Sequence, residues 1–370
     1  MTSLKDAEYI KAKNRVVSII KKLRVQIPRK IYDLSQAGLS EVRNDVFENK
    51  PSERVVIILR TNGCSWSRSS GGCSMCGHIA EHALWEKFEP ELFVKQFSHE
   101  YSKYNFSYYP TLCLYNNGSF LNERELPLEA RNKILDIIAK NDNIKQFIFE
   151  TRLEYVTPEN LADIKKRLNG KKVGVAIGLE TLNDEVRDLC INKGFTLKQF
   201  EDKAKVVSEI LNLRTYVLLK PPFLTEKEAI DDAVQTIKYA QNILKADSVH
   251  LEACTVQDYT LVHYLWNRGV YQTARLWSII EILKMTNNIY VSPFRYLPLP
   301  KRVPHNCDKC THVITKKVLK DYNTSLDLSV LSDLSCKCKQ TWVDSLNEKA
   351  VSPLSRRINL ILDELEINHL

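Results

Sequence analysis

The sequence predicts an α/β fold, a partial (β/α)6 barrel, on three observations. Short aliphatic runs alternate with longer amphipathic stretches between residue 53 and about residue 297, six such pairs follow one another, and chemically suggestive residues stand just after the runs. The candidate strands are Val55–Leu59, Leu112–Tyr115, Gln146–Glu150, Val173–Leu179, Arg214–Leu219 and Ser248–Glu252. The stretches between them read as helices over Pro90–Tyr104, Glu129–Ala139, Pro158–Leu168, Asn183–Asn192, Leu197–Leu211 and Glu226–Ile243. Such alternation implies parallel sheet, and six units suit an open barrel better than a complete eight-unit one. A doubly wound sheet satisfies the same pattern. In either arrangement ligands gather at the carboxyl ends of the strands.

The flanks differ from this central region. Residues 4 to 24 read as a basic amphipathic helix with Ile10, Val17, Ile20 and Arg24 at helical spacings, either a packing helix or an arm that touches RNA. Residues 1–52 are therefore assigned to a helical extension and residues 53–300 to the barrel. After Pro298, Pro300 and Pro304 the composition shifts to a cysteine-rich segment, so residues 301–370 form a C-terminal metal module with a last helix. That helix starts at Pro353 and sets Leu354, Ile358, Ile361 and Leu365 on one face.

Composition excludes several classes. The 370 residues are 44% hydrophobic and 26% charged, which is ordinary for a globular chain, and Val55–Leu59 falls far short of the ~20 apolar residues a membrane helix needs. The lysine-rich N-terminus lacks an export signal, so the cytoplasm is expected. In a reducing compartment ten cysteines bind metal more readily than they pair as disulfides. A net charge of +8 permits a polyanionic partner without requiring one.

Directly after the first strand, Cys64, Cys73 and Cys76 stand in a Cx8Cx2C arrangement on a loop that carries Gly63, Gly71, Gly72 and Gly77. A structural zinc site wants four ligands, and His78 and His82 offer a fourth only at poor spacing. Three thiolates with one position open are the chemistry of a [4Fe–4S] cluster whose fourth iron can chelate a substrate. A zinc knuckle completed by a histidine is the alternative.

This loop resembles the cluster loop of the radical S-adenosylmethionine (SAM) superfamily in its widened, elongator-type form. The further segments Tyr115–Leu121, Glu150–Arg152, Gly178–Thr181, Leu219–Glu226, Val256–Gln257, Leu276–Ser278 and Pro304–Cys307 are similar, in order and placement, to the radical SAM subunits of archaeosine synthase, archaeal tRNA-modifying lyases. The resemblance covers about residues 53–345. It implies a [4Fe–4S] cluster on Cys64, Cys73 and Cys76 as the catalytic centre. Reduction would split SAM into methionine and a 5′-deoxyadenosyl radical. The implied substrate is a tRNA whose 7-deazaguanine at position 15 carries a lysine, and C–N cleavage there would leave archaeosine. The implied partners are the lysine-transferring archaeosine synthase subunit and an external electron donor.

Role by role, Asn116, Asn117 and Gly118 are assigned by the resemblance to the SAM amino group. Glu150 and Arg152, two apart on one strand, leave the same face and could bind the SAM ribose and carboxylate, or pair with each other. Glu180 ends an apolar run and either meets the cofactor or caps the next helix. Lys220, at a strand end before two prolines, suits a substrate carboxylate or an RNA phosphate unless it is simply solvated; Gln257 is a weaker candidate of the same kind.

Cys307, Cys310, Cys336 and Cys338 form two close pairs that can close a tetrahedral Zn(II) site. A second iron–sulfur cluster suits the same ligands, and His305 could replace a cysteine. Around them lie Lys301, Arg302, Lys309, Lys316, Lys317, Lys320, Lys337 and Lys339, with Trp342 close behind, a set that could track phosphates and stack a base or could form a solvated face. Cys113, Cys190 and Cys254 read as core residues. Two rival functions share these features: a radical SAM enzyme acting on another RNA, a metabolite or a protein, and a non-catalytic zinc protein that binds RNA.

Overall fold

A computed structural model describes residues 4–48 and 50–367. One sheet of eight strands organises the chain, in the order β1 (Leu39–Phe47), β2 (Lys50–Ile58), β3 (Thr111–Tyr115), β4 (Gln146–Glu150), β5 (Lys172–Glu180), β6 (Asn212–Leu219), β7 (Ser248–Ala253) and β8 (Tyr290–Val291). Strands β2 to β8 pair in parallel and β1 runs antiparallel to β2. The six expected strands are β2 to β7. The added β1 lies N-terminal to residue 52, so the extension is not purely helical.

Helices α1 (Leu4–Val25), α2 (Ser65–Ser70), α3 (Pro90–Tyr101), α4 (Leu128–Ala139), α5 (Pro158–Arg167), α6 (Leu197–Ile210), α7 (Glu226–Asn242), α8 (Leu261–Trp266) and α9 (Leu276–Met285) alternate with or flank the strands. Capping boxes start two of them: Thr196 with Gln199 at α6 and Thr225 with Glu228 at α7. The stretch expected as a helix at Asn183–Asn192 instead forms a wide π turn at Val186–Ile191. There the fully buried Arg187 guanidinium donates to the carbonyls of Leu179 and Thr181 and bends the chain back toward the sheet.

The C-terminal module, with α10 (Asp308–Lys316), α11 (Asn323–Ser325) and α12 (Cys338–Ser345), shares a core with the barrel rather than standing apart. Ile314, Val318, Tyr322 and Trp342 pack with Val217, Leu251, Ile279 and Val291 in one apolar cluster. The module also covers the short edge strand. Asn323 Nδ2 donates to the Val291 carbonyl at 2.7 Å and its Oδ1 accepts from the Val291 N–H at 2.9 Å, so this amide stands where a neighbouring strand would.

Helix α13 (Leu354–Ile367) lies against α1. Ala12, Val16 and Ile20 on α1 share one apolar cluster with Leu354, Ile358, Leu362 and Leu365 on α13. The buried stripe of α1 thus runs at intervals of four, whereas Ile10 is half exposed. No helix of the described residues is long and apolar enough to cross a membrane.

Asn323→Ala removes both bonds to β8 and should lower stability by about 1–2 kcal/mol in a urea titration, without changing the slope of the transition. An unchanged midpoint would show that the edge needs no such cover.

Candidate functional site

The carboxyl end of β2 feeds residues 59–77 over the top of the sheet, and four anchors hold this loop by its backbone. Arg24, the last member of the α1 stripe, donates from Nε to the Gly71 carbonyl (2.9 Å) and from Nη2 to the carbonyls of Cys73 (3.0 Å) and Cys76 (2.7 Å). Asn192, in the left-handed region at φ 57°, donates to the carbonyls of Gly72 and Ser70. Ser74 bonds back to the carbonyls of Cys190 and Ile191. Glu125 accepts from the N–H groups of Ser65 (2.8 Å) and Ser119 (2.6 Å), tying the loop to the turn after β3. Gly118 is what permits that last contact: a Cβ there would stand 2.0 Å from Glu125 Oε2.

Held this way, Cys64, Cys73 and Cys76 all line one cavity of about 280 Å³ inside the barrel. Asn117, Gly118, Glu150, Arg152, Glu180 and Gln257 line it too. The expected donors from five strand ends therefore converge. Their partners differ from expectation in several cases. Arg152 pairs with Glu154 at 2.5 Å, not with Glu150, and its guanidinium sits 4.9 Å from the Trp66 ring. Glu180, at φ 67°, pairs with Lys193 at 2.5 Å. Gln257 accepts from the Gly77 N–H at 2.7 Å and donates to the Pro298 carbonyl, so it ties the cysteine loop to the linker before the metal module.

Two residues fall outside the cavity lining. Asn116 is fully buried beneath it, with both amide atoms lacking a partner. Lys220 turns away because its ammonium pairs with the buried Glu226, which also accepts from Ser278 Oγ and the Arg275 N–H. An ammonium so placed offsets a buried carboxylate instead of meeting substrate. His82 faces Thr61 and not the thiols, whereas His78 lines the cavity. Lys193 and Arg24 carry no motif. Arg24 stands in the sequence only as the last of the helically spaced Ile10, Val17, Ile20 and Arg24, with nothing to mark it as a loop anchor, and nothing in the sequence marks Lys193.

Electrostatics shape the site. Burial pushes the three thiols up, Cys64 to about 12, while Lys193 and Arg152 oppose this at Cys73 and Arg24 opposes it at Cys76. Thiols so buried become thiolates when a metal replaces their protons. They do not close on a single point: among the described residues the one group of three or more histidine, cysteine or carboxylate ligands with all its ligand atoms within 4.8 Å of one another is Cys307, Cys310, Cys336 and Cys338. Three separated soft donors facing a roomy cavity, with cationic groups beside them, fit a multi-iron cluster better than one ion. Polar Asn117, Glu150 and Glu180 on the same walls fit a cofactor that carries ammonium and hydroxyl groups. Burial also lifts Glu150 to about 7, with Glu252 adding to the rise, and lifts Glu252 to about 7.

In the C-terminal quartet, Cys307 and Cys310 Sγ are 3.6 Å apart, Cys307 and Cys336 3.5 Å, and Cys310 and Cys338 3.5 Å. The quartet could hold a metal ion. Trp277 Nε1 donates to Cys338 Sγ at 3.4 Å. His305 bonds Thr273 and takes no place in the quartet. Of the surrounding cations, Lys301, Arg302, Lys309, Lys316, Lys320, Lys337 and Lys339 are exposed and Lys317 is half-buried. Trp342 is unavailable for base stacking: its ring is buried and its N–H donates to Ser278 Oγ at 2.8 Å. Cys113 and Cys190 are core residues as expected, while Cys254, also buried, lines the cavity.

Two outcomes follow from this geometry. Arg24→Met should cut the iron and sulfide retained after anaerobic reconstitution by more than half while the thermal transition stays single; full retention would remove Arg24 from the loop's support. Glu252 has a raised folded-state pKa, so the folded chain holds its proton from about pH 4.5 to about pH 7 where the unfolded chain has lost it, and stability falls as pH rises through that window. Glu252→Gln should therefore narrow the difference in melting temperature between pH 5 and pH 8, measured without ligands.

No family model matches the chain. It is 32% identical over 325 residues to archaeosine synthase subunit beta of Methanosarcina acetivorans, covering 86% of this chain and 92% of that protein. It is 32% identical over 305 residues to archaeosine synthase subunit beta of Thermococcus kodakarensis, covering 80% and 93%. An uncharacterized protein of Methanocaldococcus jannaschii is 30% identical over 364 residues, covering 93% and 97%. Among solved structures, archaeal Elp3 of Methanocaldococcus infernus with an N-terminal deletion has a TM-score of 0.45 at 15% identity, covering 63% of this chain and 59% of that one. Methylornithine synthase has a TM-score of 0.47 at 12% identity, covering 79% and 72%. On the sequence identity along almost the whole length of the two named relatives, the chain belongs to the archaeosine synthase subunit beta family.

Proposed function

We propose that the protein is the radical-generating subunit of an archaeosine synthase, a lyase that acts on tRNA at position 15 and cleaves the C–N bond of a lysine carried by a 7-deazaguanine. The observation that carries this reading is the trio Cys64, Cys73 and Cys76 facing one cavity in a chain that spans more than nine-tenths of the named beta subunits. When bound, a reduced [4Fe–4S] cluster and SAM supply a 5′-deoxyadenosyl radical able to take hydrogen from an unactivated C–H bond. The chain's own work is to bind, orient and shield. Cys64, Cys73 and Cys76 would hold the cluster as its thiolate ligands. Asn117 and Gly118 present the turn after β3 to the SAM amino group, Glu150 and Glu180 take hydroxyl or ammonium groups, and Arg152 with Lys193 offers charge to a carboxylate. Barrel walls exclude water from a radical that would attack nearly any neighbour.

The C-terminal quartet is read as a Zn(II) site. A tetrahedron of Zn–S bonds of about 2.3 Å has edges of about 3.8 Å, and the edges here of 3.5–3.6 Å match that scale. A cubane cluster would hold its four thiolates much farther apart. The exposed lysines around this module supply a phosphate-facing surface for tRNA, and the basic balance of the chain agrees. The lysine-transferring subunit and an external one-electron donor complete the reaction as partners.

Anaerobic incubation of the reconstituted protein with dithionite, SAM and lysine-modified tRNA, followed by nucleoside mass analysis, tests the reading. Archaeosine together with 5′-deoxyadenosine is expected. Formation of 5′-deoxyadenosine with unaltered tRNA would remove the substrate and keep the class. Cys73→Ala should abolish turnover with loss of iron, whereas Cys310→Ala should lose one zinc per chain, lower the melting temperature and leave the iron content unchanged. Iron lost in equal measure from both variants would contradict the zinc assignment.

A further inference from the structure

A second chamber, of about 190 Å³, adjoins the floor of the cysteine-lined cavity and shares Arg43, Arg54, His250 and Ser292 with it. Leu319 and Asn323 of the C-terminal module close its far side. Three atoms on its walls lack any hydrogen-bond partner: Asp45 Oδ2, Arg54 Nε and His250 Nε2. Each belongs to a side chain more than nine-tenths buried, with residue exposures of 9%, 7% and 4%. Buried polar atoms are nearly always satisfied, so three orphans in one chamber mark a place where a ligand supplies the missing bonds.

The identity of those atoms selects the ligand. Asp45 and Arg54 project from the β1–β2 hairpin and meet through Oδ1 and Nη1 at 3.5 Å, which leaves one carboxylate oxygen and one guanidinium N–H turned elsewhere. Arg43, cross-strand neighbour of Arg54, adds a second guanidinium on the wall common to both chambers; its Nε and Nη2 are held by Glu41 at 2.6 and 2.5 Å, so it meets a ligand through Nη1. Burial, with the charges of Arg214 and Arg54, keeps His250 neutral, and its ring stacks on Tyr290 with centroids 5.0 Å apart. The chamber therefore offers an acceptor of full charge, donors of full charge and one neutral imidazole nitrogen. A phosphate would meet Asp45 with like charge, and a plain cation would meet two arginines. A group bearing both an ammonium and a carboxylate satisfies every wall.

We propose that this chamber is a subsite for a zwitterionic α-amino-acid head group, with the ammonium on Asp45 and the carboxylate on Arg54 and Arg43. Applied to the substrate proposed above, it receives the free α-amino-acid end of the lysine whose side-chain nitrogen is joined to the base; in that form the inference rests on the proposed function. Seated there, the amino-acid end is fixed at the opposite side of the barrel from the base, and the aliphatic carbons between them cross the cavity that the cysteines face. The C-terminal metal module, by contributing Leu319 and Asn323, becomes part of the substrate site as well as a support for the sheet edge.

Calorimetric titration of the whole protein with Nε-acetyl-L-lysine, whose head group is free and whose side chain is capped, tests the subsite without turnover. The acid should bind, and both N-acetylcadaverine, which lacks the carboxylate, and 6-acetamidohexanoate, which lacks the α-ammonium, should bind at least about tenfold more weakly. Asp45→Asn and Arg43→Gln should each weaken binding by about tenfold or more, and His250→Phe, which keeps the stack on Tyr290, should weaken it severalfold. If Asp45→Asn fails to fold, Arg43→Gln alone decides. No heat from any of the three compounds, equal binding of all three, or unchanged affinity in Arg43→Gln would overturn the subsite and leave the chamber to water. Conversion of lysine-modified tRNA with an unchanged KM in Arg43→Gln would overturn the subsite and spare the proposed function. Binding of Nε-acetyl-L-lysine by a protein that leaves the tRNA unaltered would support the subsite and overturn that function.

Discussion

Three thiols can share one cavity only if the loop that bears them is restrained from outside, because a glycine-rich segment has no structure of its own to impose. Here the restraint is the capture of loop carbonyls by buried donors. Arg24 reaches in from the N-terminal helix, Asn192 from the turn after β5, and Gln257 takes the Gly77 N–H from beyond β7. These partners come from parts of the chain far apart in sequence, so the site assembles only when the barrel, α1 and the linker before the metal module are all in place. The burial of α1 has its meaning in this chain of dependence: Ala12, Val16 and Ile20 sit in the apolar cluster that includes the last helix and thereby deliver Arg24 one turn later.

A second dependence runs through the metal module. Cys338 accepts from the Trp277 indole, Trp342 donates to Ser278 Oγ, Ser278 donates to the buried Glu226, and Glu226 binds Lys220 at the end of β6. The quartet is thereby joined to the rim of the barrel by a run of polar contacts inside a shared apolar core. The same module seals β8 through Asn323 and closes the chamber behind Arg54 and His250. Metal binding and the shape of the barrel interior are consequently one problem in folding, since a preformed quartet needs the core that the barrel supplies.

Much of this was legible from residue patterns. The six central strands and the spacing of both cysteine groups follow from period and ligand arithmetic, and the convergence of Asn117, Gly118, Glu150, Arg152 and Glu180 follows from their position at strand ends. The failures have physical causes. β1 was hidden because Leu39–Phe47 is polar and charged at most positions, its inward groups being Arg43 and Asp45 instead of aliphatic residues. β8 is only two residues long, below any periodic signal. Lys220 was misjudged because its partner Glu226 looks from sequence like an N-terminal helix acid, and Trp342 because an aromatic among lysines looks the same whether its ring packs inward or outward.

Central to the proposed function are the three separated thiols of Cys64, Cys73 and Cys76, which would hold an iron cluster that binds SAM. Electron paramagnetic resonance of the dithionite-reduced, anaerobically reconstituted protein, recorded with and without SAM, tests this most directly. The account predicts a [4Fe–4S]+ signal that depends on Cys64, Cys73 and Cys76 and changes shape when SAM is added. A colourless, iron-free protein, or a cluster signal indifferent to SAM and retained in Cys73→Ala, would contradict it.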